Sequence, residues 1–368
     1  MHVGLNLIFL VPGETGGMET IARALIPAMR EITDHRLVAY VNEESRGEDF
    51  GAHEQVVVPV HARSRPQWVL GEQRHLPRLA AGCDLVHSLG STGPARGPFR
   101  RVVTINDLHD RTMPEAHFGL RALGMHVLVP LAARSSHLIT TISHAARADI
   151  VRLLGVPPGK VRVVYPGIAA PTATPTPEAE LRRLHWLEDR PVLLAMSAKR
   201  PHKNLLGLLD ALALLDTPRP VLVLPGYPTE HESELRERAH ALGIEGDVRF
   251  LGWVSAEDAE GLYALADAFV HPAFSEGFGL PPVEALARGL PVACSDIPVL
   301  REVMGDEAIY FDPHAPASIS AAVREALAAP RGAGGATRFT WEAAAEATLE
   351  AYELLSRQAM TSRSGARS

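Results

Sequence analysis

The sequence predicts two α/β domains, each a Rossmann-like parallel sheet between helices, which face each other across a cleft. Both halves of the chain alternate short apolar runs with amphipathic helical patterns, which is typical of βα units. At 368 residues the chain is also longer than one ordinary core covers. A proline-rich stretch near the middle interrupts the alternation, and we interpret it as a linker between the domains.

The domain boundaries follow from these patterns. We predict an N-terminal domain at 1–170, a linker at 171–184, a C-terminal domain at 185–340, a last helix at 341–356 that can pack back on the N-terminal domain, and a disordered tail at 357–368. Ligands of such folds bind outside the carboxyl ends of the parallel strands. The loops that follow the strands are therefore where functional residues are expected.

Apolar runs of strand length and helical periodicity set the predicted elements. Strands are predicted at 2–10, 36–41, 55–59, 84–89, 101–105, 137–142, 161–165, 191–196, 221–224, 248–251, 268–271, 291–294 and 308–311. Helices are predicted at 18–30, 66–81, 115–134, 143–154, 205–215, 230–242 and 255–265. Ser143 is expected to cap its helix, because its hydroxyl can accept an otherwise unpaired backbone N–H.

Composition excludes several classes of protein. Apolar residues make up 46% of the chain and charged residues 21%, as in globular proteins. No apolar stretch approaches the ~18 residues of a membrane span, and the apolar start lacks the basic leader of a signal peptide. Cys83 and Cys294 form no disulfide framework, so the cytoplasm is the expected compartment. No basic stripe with interleaved aromatic residues indicates nucleic-acid binding.

The charge is unevenly distributed along the chain. The net charge is −7, but residues 1–170 carry +3 and the remainder −10. This bias of the N-terminal half fits an anionic acceptor, or a peripheral contact with the inner face of a membrane. Ordinary solvated charge explains the same numbers, since no dense run of Lys and Arg occurs.

The most informative segment is 271–292, HPAFSEGFGLPPVEALARGLPV. A strand ends, a loop with Gly277 and Gly279 follows, and a Pro-Pro pair sets the first turn of a helix. The N–H groups of Phe278, Gly279 and Leu280 lie at the start of that helix. Such a terminus is an anion-binding site, and a diphosphate is the expected occupant.

Two glutamates flank this loop. Glu276 precedes the glycines and Glu284 follows in the helix. A carboxylate beside a phosphate site is useful if it accepts hydrogen bonds from sugar or ribose hydroxyls. The alternative is that Glu284 only complements the helix dipole.

A second cluster, 197–212, carries three cations on a loop between a strand and a helix. Lys203 stands where the loop becomes the helix, and a cation there can neutralise a departing diphosphate. Lys199 and Arg200 are both candidates for a second cation, and the sequence does not choose between them. A solvated basic loop is the plainer interpretation.

The loop with its two glutamates resembles the retaining glycosyltransferases of GT-B fold, and within them glycosyltransferase family four, whose signature is a Glu, seven residues and another Glu. The resemblance implies that Glu276 contacts the donor sugar, Glu284 the donor ribose and Lys203 the diphosphate, with the amides 277–280 on the distal phosphate. It implies a C-terminal domain that binds the nucleotide sugar and an N-terminal domain on the acceptor side. Many relatives have Gly in place of Ser197.

The same resemblance assigns donor contacts to two further loops. Gly252, Trp253 and Val254 are expected to contact the nucleobase through their backbone, although Trp253 could equally be packing. Gly16 and Gly17, between the first strand and the first helix, resemble the family's loop facing the donor phosphates and the acceptor. A glycine-rich turn between strand and helix is common, so this signal is weak by itself.

The segment 101–115 departs from the family pattern. Relatives usually have Thr-x-His-Asp-Leu, with the His near the acceptor, but here Asn106 takes that place and His109 follows three residues later. Either Asn106 forms hydrogen bonds there or His109 reaches in from the loop. An Asn cannot shuttle a proton at neutral pH, whereas a His can.

The first hypothesis for function is transfer of a hexose of mannose, rhamnose or glucose type, with retention, from a GDP-, UDP- or dTDP-sugar to a hydroxyl acceptor. The acceptor would be a saccharide, a lipid-linked saccharide or a small molecule in polysaccharide, glycolipid or natural-product biosynthesis. No metal and no further cofactor are expected, because no His, Cys or Asp cluster has ligand spacing. The alternatives are a nucleotide-sugar epimerase of the same fold and a non-catalytic nucleotide-sugar-binding partner.

Overall fold

The computed structural model describes residues 1–108, 111, 120–168, 173–334 and 338–364. The chain divides into two compact units, unit 1 (Met1–Gly167 with Phe339–Ser368) and unit 2 (Ile168–Arg338). Each unit is built on one sheet, and every strand pairing in both sheets is parallel.

Within its described residues, unit 1 holds a seven-stranded sheet in the order β3-β2-β1-β4-β5-β6-β7. The strands are β1 (His2–Asn6), β2 (Arg36–Val41), β3 (Glu54–Val57), β4 (Leu85–Ser88), β5 (Arg100–Thr104), β6 (Leu138–Thr141) and β7 (Val161–Val163). Leu37 and Ala39 belong to one core cluster, while Val38 and Tyr40 belong to another. Because side chains alternate along a strand, β2 is buried on both faces, as a parallel sheet requires.

The described helices of unit 1 follow the strands. They are Gly17–Ile32, Glu43–Ser45 (3-10), Arg65–Leu70, Gly71–His75 (π), Leu76–Leu79, Leu120–Ser135, His144–Leu154, Pro158–Lys160 (3-10) and Trp341–Ser364. The hydroxyl of Ser143 accepts the N–H of Ala146 at 3.0 Å, which confirms the predicted cap. Of the helix predicted at 115–134, residues 115–119 lie outside the described residues.

The helix predicted at 66–81 is interrupted by a π turn, Gly71–His75. The turn directs Glu72 into the core, where its side chain is 1% exposed. Its Oε1 accepts hydrogen bonds from Asn6 Nδ2 and from Thr92 Oγ1, both at 3.0 Å. Periodicity alone could not predict the burial of Glu72, because its two hydrogen-bond partners lie far from it in sequence.

Glu72 makes the stability of the protein depend on pH. Burial raises the pKa of Glu72 to about 7, against the hydrogen bonds from Asn6 and Thr92 that favour the carboxylate. Above the unfolded pKa, the unfolded chain releases a proton that the folded chain keeps, so native stability is lost as pH rises towards 7. Glu72→Gln keeps an acceptor for both donors and removes this loss. We expect it to stabilise the protein by roughly 2–3 kcal/mol more at pH 8 than at pH 4.

Urea unfolding of both proteins at the two pH values measures this effect. Glu54→Gln is the control, because Glu54 is an exposed residue at the edge of the sheet. An equal change in unfolding free energy at both pH values for Glu72→Gln would contradict the assignment.

Within its described residues, unit 2 holds a six-stranded sheet in the order β10-β9-β8-β11-β12-β13. The strands are β8 (Val192–Leu194), β9 (Val221–Leu224), β10 (Val248–Phe250), β11 (Ala268–His271), β12 (Val292–Ser295) and β13 (Ile309–Phe311). The helices are Glu178–Leu184, Pro201–Lys203 (3-10), Leu205–Ala213, His231–Ala241, Glu245–Asp247 (3-10), Ala256–Leu265, Leu280–Ala287, Pro298–Met304 and Pro316–Ala328. The ends of β8 and β11, which are neighbours in the sheet, carry the two informative loops.

The predicted linker 171–184 is corrected by the structure, because Glu178–Leu184 is a helix of unit 2. Leu181 of this helix is fully buried, and Arg182 pairs with Glu178 one turn earlier at 2.7 Å. A buried leucine and an ion pair four residues apart stabilise a short helix against the effect of the preceding prolines.

The C-terminal helix, Trp341–Ser364, packs against helix Gly17–Ile32 in unit 1. It places Tyr352 in the core with no exposed surface. The helix continues to Ser364, beyond the predicted end at 356. The prediction of a disordered tail is therefore wrong for residues 357–364. No Gly or Pro follows until Gly365, and the intervening residues include good helix formers. Among the described helices, none is both long and apolar enough to cross a bilayer.

Candidate active site

The loop after β11 begins with a buried charge cluster. Glu276 Oε1 accepts a hydrogen bond from His271 Nε2 at 2.7 Å. The same oxygen forms an ion pair with Lys203 Nζ. Only 9% of the Glu276 side chain and 17% of the Lys203 side chain are exposed. Burial opposes ionisation of Glu276, but the charge of Lys203 and the hydrogen bond from His271 hold its pKa well below the usual range. Glu276 is therefore an anion at neutral pH.

The loop requires a glycine at position 279, because of both its backbone conformation and its close neighbours. Gly279 has a φ of +93°, and a Cβ at this position would lie 2.8 Å from Leu300 Cδ2. Gly279 is the N-cap of the helix Leu280–Ala287, and as a glycine it has no side chain that could accept an N–H of the first turn. The first turn of a helix offers its own N–H groups no acceptor, so the amides of Gly279 and Leu280 are available to an anion.

Glu284 lies inside this helix and is largely buried. Its Oε2 accepts the hydroxyl of Tyr263 at 2.9 Å. Arg288, which pairs with Glu260, has its guanidinium 4.7 Å from the centre of the Tyr263 ring. Burial raises the pKa of Glu284, and the Tyr263 hydrogen bond and the Arg288 charge oppose the rise. Tyr263 thus fixes the orientation of the carboxyl group.

The two candidates for a second cation lie in different environments. Lys199 has no exposed surface, and its Nζ donates to the carbonyl oxygens of Gly226 and Leu251. Burial lowers its pKa to about 8. Lys199 therefore ties together the chain segments that follow β8, β9 and β10, whereas Arg200 is exposed.

The loop after β10 exposes an aromatic surface. Trp253 is 68% exposed, and its ring stacks on Tyr227 with centroids 4.8 Å apart. Gly226 N–H donates to Gly252 O at 3.0 Å, and Ser197 N–H donates to Pro225 O at 3.1 Å. Most of the Trp253 side chain therefore lies open to solvent, while one face of its ring packs on Tyr227. Val254 follows it in the same loop.

Other predicted residues lie in unit 1. Gly16 has a φ of +64° and caps the helix that begins at Gly17. Asn106 follows β5 and is 7% exposed, and among the described residues its Oδ1 has no hydrogen-bond partner. His109 lies outside the described residues.

The structure thus brings Lys203 and Glu276 together and adds residues that the sequence analysis did not single out. His271 and Tyr263 orient the two glutamates, and Tyr227 supports Trp253. His271 is the last residue of a buried strand, which was the one signal available in the sequence for its role.

Comparison with known proteins identifies the family. A model of the glycosyl transferases group 1 matches residues 178–347, and one of glycosyltransferase family 4 matches residues 15–170. O-antigen chain mannosyltransferase B of Escherichia coli is 35% identical in an alignment of 274 positions that covers 70% of this chain and 71% of that protein. The chain belongs to glycosyltransferase family four.

The chain is also similar to other members of the family and to solved structures of glycosyltransferases. D-inositol 3-phosphate glycosyltransferase 2 of Catenulispora acidiphila is 30% identical, over 77% of this chain and 68% of that one. The crystal structure of Anabaena HepE in complex with UDP and glucose superposes with a TM-score of 0.70 at 20% identity, over 99% of this chain and all of that one. The predicted GT-B fold and the predicted class of enzyme, a glycosyltransferase that uses a nucleotide sugar, are confirmed.

Proposed function

We propose that this family-four enzyme is a retaining hexosyltransferase of polysaccharide biosynthesis, with a mannose-type nucleotide sugar as donor and a saccharide or lipid-linked saccharide hydroxyl as acceptor. The observation that carries the proposal is the buried pair of Lys203 and Glu276 beside the helix terminus at Gly279. The names of the O-antigen mannosyltransferase and of the inositol phosphate enzyme support the hexosyl class.

In the proposed donor complex, the distal phosphate accepts hydrogen bonds from the amides of the 277–280 loop. Lys203 turns from Glu276 to the diphosphate, whose charge increases as the bond to the sugar breaks. Glu276, released from that ion pair, accepts hydrogen bonds from the hydroxyls of the transferred sugar. Arg200 serves as the second cation, because the ammonium of Lys199 is engaged by backbone carbonyls.

The nucleoside is held by the other loops in this proposal. Glu284, oriented by Tyr263, accepts the ribose hydroxyls. The backbone at 252–254 contacts the base, and the stacked rings of Trp253 and Tyr227 border it. In unit 1, Gly16 and Gly17 offer backbone amides to the donor and acceptor.

Retention follows if the acceptor attacks on the face that the diphosphate leaves. The bond from the anomeric carbon to the phosphate oxygen breaks, the acceptor oxygen bonds to that carbon, and its proton passes to a phosphate oxygen. No protein base is needed in this step, which fits Asn106 at the place where relatives have a His. Asn106 then orients the acceptor by hydrogen bonding.

The proposal is tested by incubating the enzyme with GDP-mannose, UDP-glucose or dTDP-rhamnose and a mannose disaccharide, and by determining the anomeric configuration of the product by NMR. We expect transfer from one donor, with the configuration of that donor. An inverted product would contradict retention. Interconversion of the donor sugar without an acceptor would favour the epimerase.

We also propose a peripheral contact of unit 1 with the inner face of the membrane. Val127 and Leu131, one turn apart on helix Leu120–Ser135, are 61% and 41% exposed. The net positive charge of residues 1–170 supports attraction to anionic lipid. Sedimentation with phosphatidylglycerol vesicles is expected to remove the enzyme from solution, and Val127→Asp to weaken this binding severalfold. Equal sedimentation of both proteins would contradict this contact.

A further inference from the structure

The loops that follow β9 and β10 in unit 2 carry an exposed aromatic stack. Trp253 lies on Tyr227 with ring centroids 4.8 Å apart and an angle of 28° between the ring planes. Trp253 is nevertheless 68% exposed. Because Tyr227 covers one face of the indole, an exposure of this size leaves the opposite face open to solvent. Unit 2 therefore presents a flat aromatic surface to a ligand.

Hydrogen bonds hold this stack in place from behind. The buried ammonium of Lys199 donates to the carbonyl oxygens of Gly226 and Leu251, one on each of the two loops. Lys199 N–H also donates to Tyr227 O at 3.1 Å, and Gly226 N–H donates to Gly252 O at 3.0 Å. A surface that is ordered before its ligand arrives loses less conformational freedom on binding, which favours affinity.

The sheet places this surface within reach of the phosphate site. Lys203 follows β8 and Glu276 follows β11, while the aromatic stack follows β9 and β10. These strands are parallel neighbours in the order β10-β9-β8-β11, so their loops leave the sheet at one edge. One to three strand spacings, about 5–14 Å, separate the stack from the pair of Lys203 and Glu276. An extended nucleoside diphosphate is long enough to join the two.

The chemistry of the surface favours a nucleobase over the other parts of a nucleotide sugar. An indole carries no charge to offer a phosphate, but its face stacks on a planar base. Since the indole is bicyclic, a bicyclic purine can overlap both of its rings, whereas a pyrimidine overlaps one. Attraction increases with the area of contact, so the purine binds more tightly.

We propose that the open face of Trp253 stacks on the base of the donor nucleotide and that this base is a purine. The assignment rests on the proposed function, in which the amides 277–280 bind the diphosphate of the same donor. Trp253 then determines donor specificity, and Tyr227 supports its ring. Among the GDP-, UDP- and dTDP-sugars that the sequence leaves open, the surface selects the GDP-sugar.

The chain offers a matched control in Trp186. This second tryptophan of unit 2 is 77% exposed and follows the helix Glu178–Leu184. It precedes β8, so it does not belong to the loops that leave the sheet at the carboxyl ends of the strands. Trp186→Ala and Trp253→Ala therefore make the same chemical change on exposed side chains, and neither opens a cavity in the core.

Calorimetric titration with GDP, ADP, UDP and dTDP measures the affinities. We expect the wild type to bind GDP or ADP about tenfold more tightly than UDP and dTDP. Trp253→Ala should weaken binding of that purine diphosphate about tenfold, while Trp253→Phe keeps most of the affinity and Trp186→Ala keeps all of it. With the matching nucleotide sugar, Trp253→Ala should raise the donor KM and leave kcat unchanged, because the base is stacked equally in the ground state and the transition state.

Fluorescence distinguishes direct stacking from an indirect effect. A base stacked on an indole quenches the emission of that indole. The purine diphosphate should therefore quench the wild type and Trp186→Phe, but not Trp253→Phe, although Trp253→Phe still binds it. Full quenching in Trp253→Phe would overturn stacking on this ring.

The outcomes separate the two proposals. Tightest binding of UDP or dTDP by the wild type would overturn the purine assignment alone, and this measurement needs no variant. Equal affinity of Trp253→Ala and the wild type, or an equal loss in Trp186→Ala, would overturn the role of Trp253 and leave the diphosphate site intact. Binding of none of the four diphosphates would contradict the proposed function, and the stacking assignment would fall with it.

Discussion

Lys203→Met is expected to lower kcat about 10²–10³-fold, because removing a group that stabilises developing charge in the transition state has effects of this size. The departing diphosphate would lose the cation that neutralises it. Glu276, which pairs with Lys203 in the free protein, would lose that cation and keep the hydrogen bond from His271. Lys203→Arg retains the charge and should recover part of the rate. Steady-state kinetics with saturating donor measures the effect.

A loss of stability could imitate this result, because a buried carboxylate without its cation costs roughly 3 kcal/mol or more. The double variant Lys203→Met with Glu276→Gln removes both charges and should restore much of the melting temperature without restoring kcat. Lys199→Met gives the opposite pattern, since its ammonium bonds to the backbone at Gly226 and Leu251. We expect that variant to melt at lower temperature while kcat is little changed. A normal kcat in Lys203→Met would refute the role of this cation.

Glu284→Gln is expected to weaken binding of the donor nucleotide about 10–100-fold, since hydrogen bonds to a charged group contribute roughly 1.5–3 kcal/mol. The substitution preserves shape and keeps an oxygen for the Tyr263 hydroxyl. It removes the charge that accepts the ribose hydroxyls in the proposed donor complex. Calorimetric titration with the nucleoside diphosphate measures the change.

Glu260→Gln is the matched control for Glu284→Gln. Glu260 pairs with Arg288, close to the same tyrosine, but we assign it no contact with the donor. The Glu260→Gln variant should bind the nucleotide with the same affinity as the wild type. If Glu260→Gln and Glu284→Gln weaken binding equally, Glu284 contributes only to the local charge network around Arg288.

Features that depend on local sequence could be predicted. The strands at 36–41, 221–224 and 268–271 have the predicted bounds, because uninterrupted apolar runs between polar turns leave few alternatives. The Ser143 cap depends only on residues within one helical turn. The loop predicted around Gly279 is present, and its φ of +93° is a conformation that favours glycine.

Features that depend on distant residues could not be predicted. The sequence left Lys199 and Arg200 equivalent, because which of two neighbouring side chains is buried depends on carbonyls 27 and 52 positions away. The partners of the two glutamates, His271 and Tyr263, are ordinary strand and helix residues in sequence. The stack of Trp253 on Tyr227 forms only when the loops after β9 and β10 come side by side in the folded sheet.

In the proposed function, unit 2 binds a nucleoside diphosphate through Lys203, Glu276, Glu284 and the amides 277–280. This binding is tested most directly by the melting temperature of the wild type and of Lys203→Met with GDP, UDP, dTDP or ADP, each without added metal. A diphosphate at ~100 times its dissociation constant should add roughly 2.7 kcal/mol of stability. We predict that one diphosphate stabilises the wild type and loses most of that effect in the variant. No stabilisation of the wild type by any of the four would contradict the account.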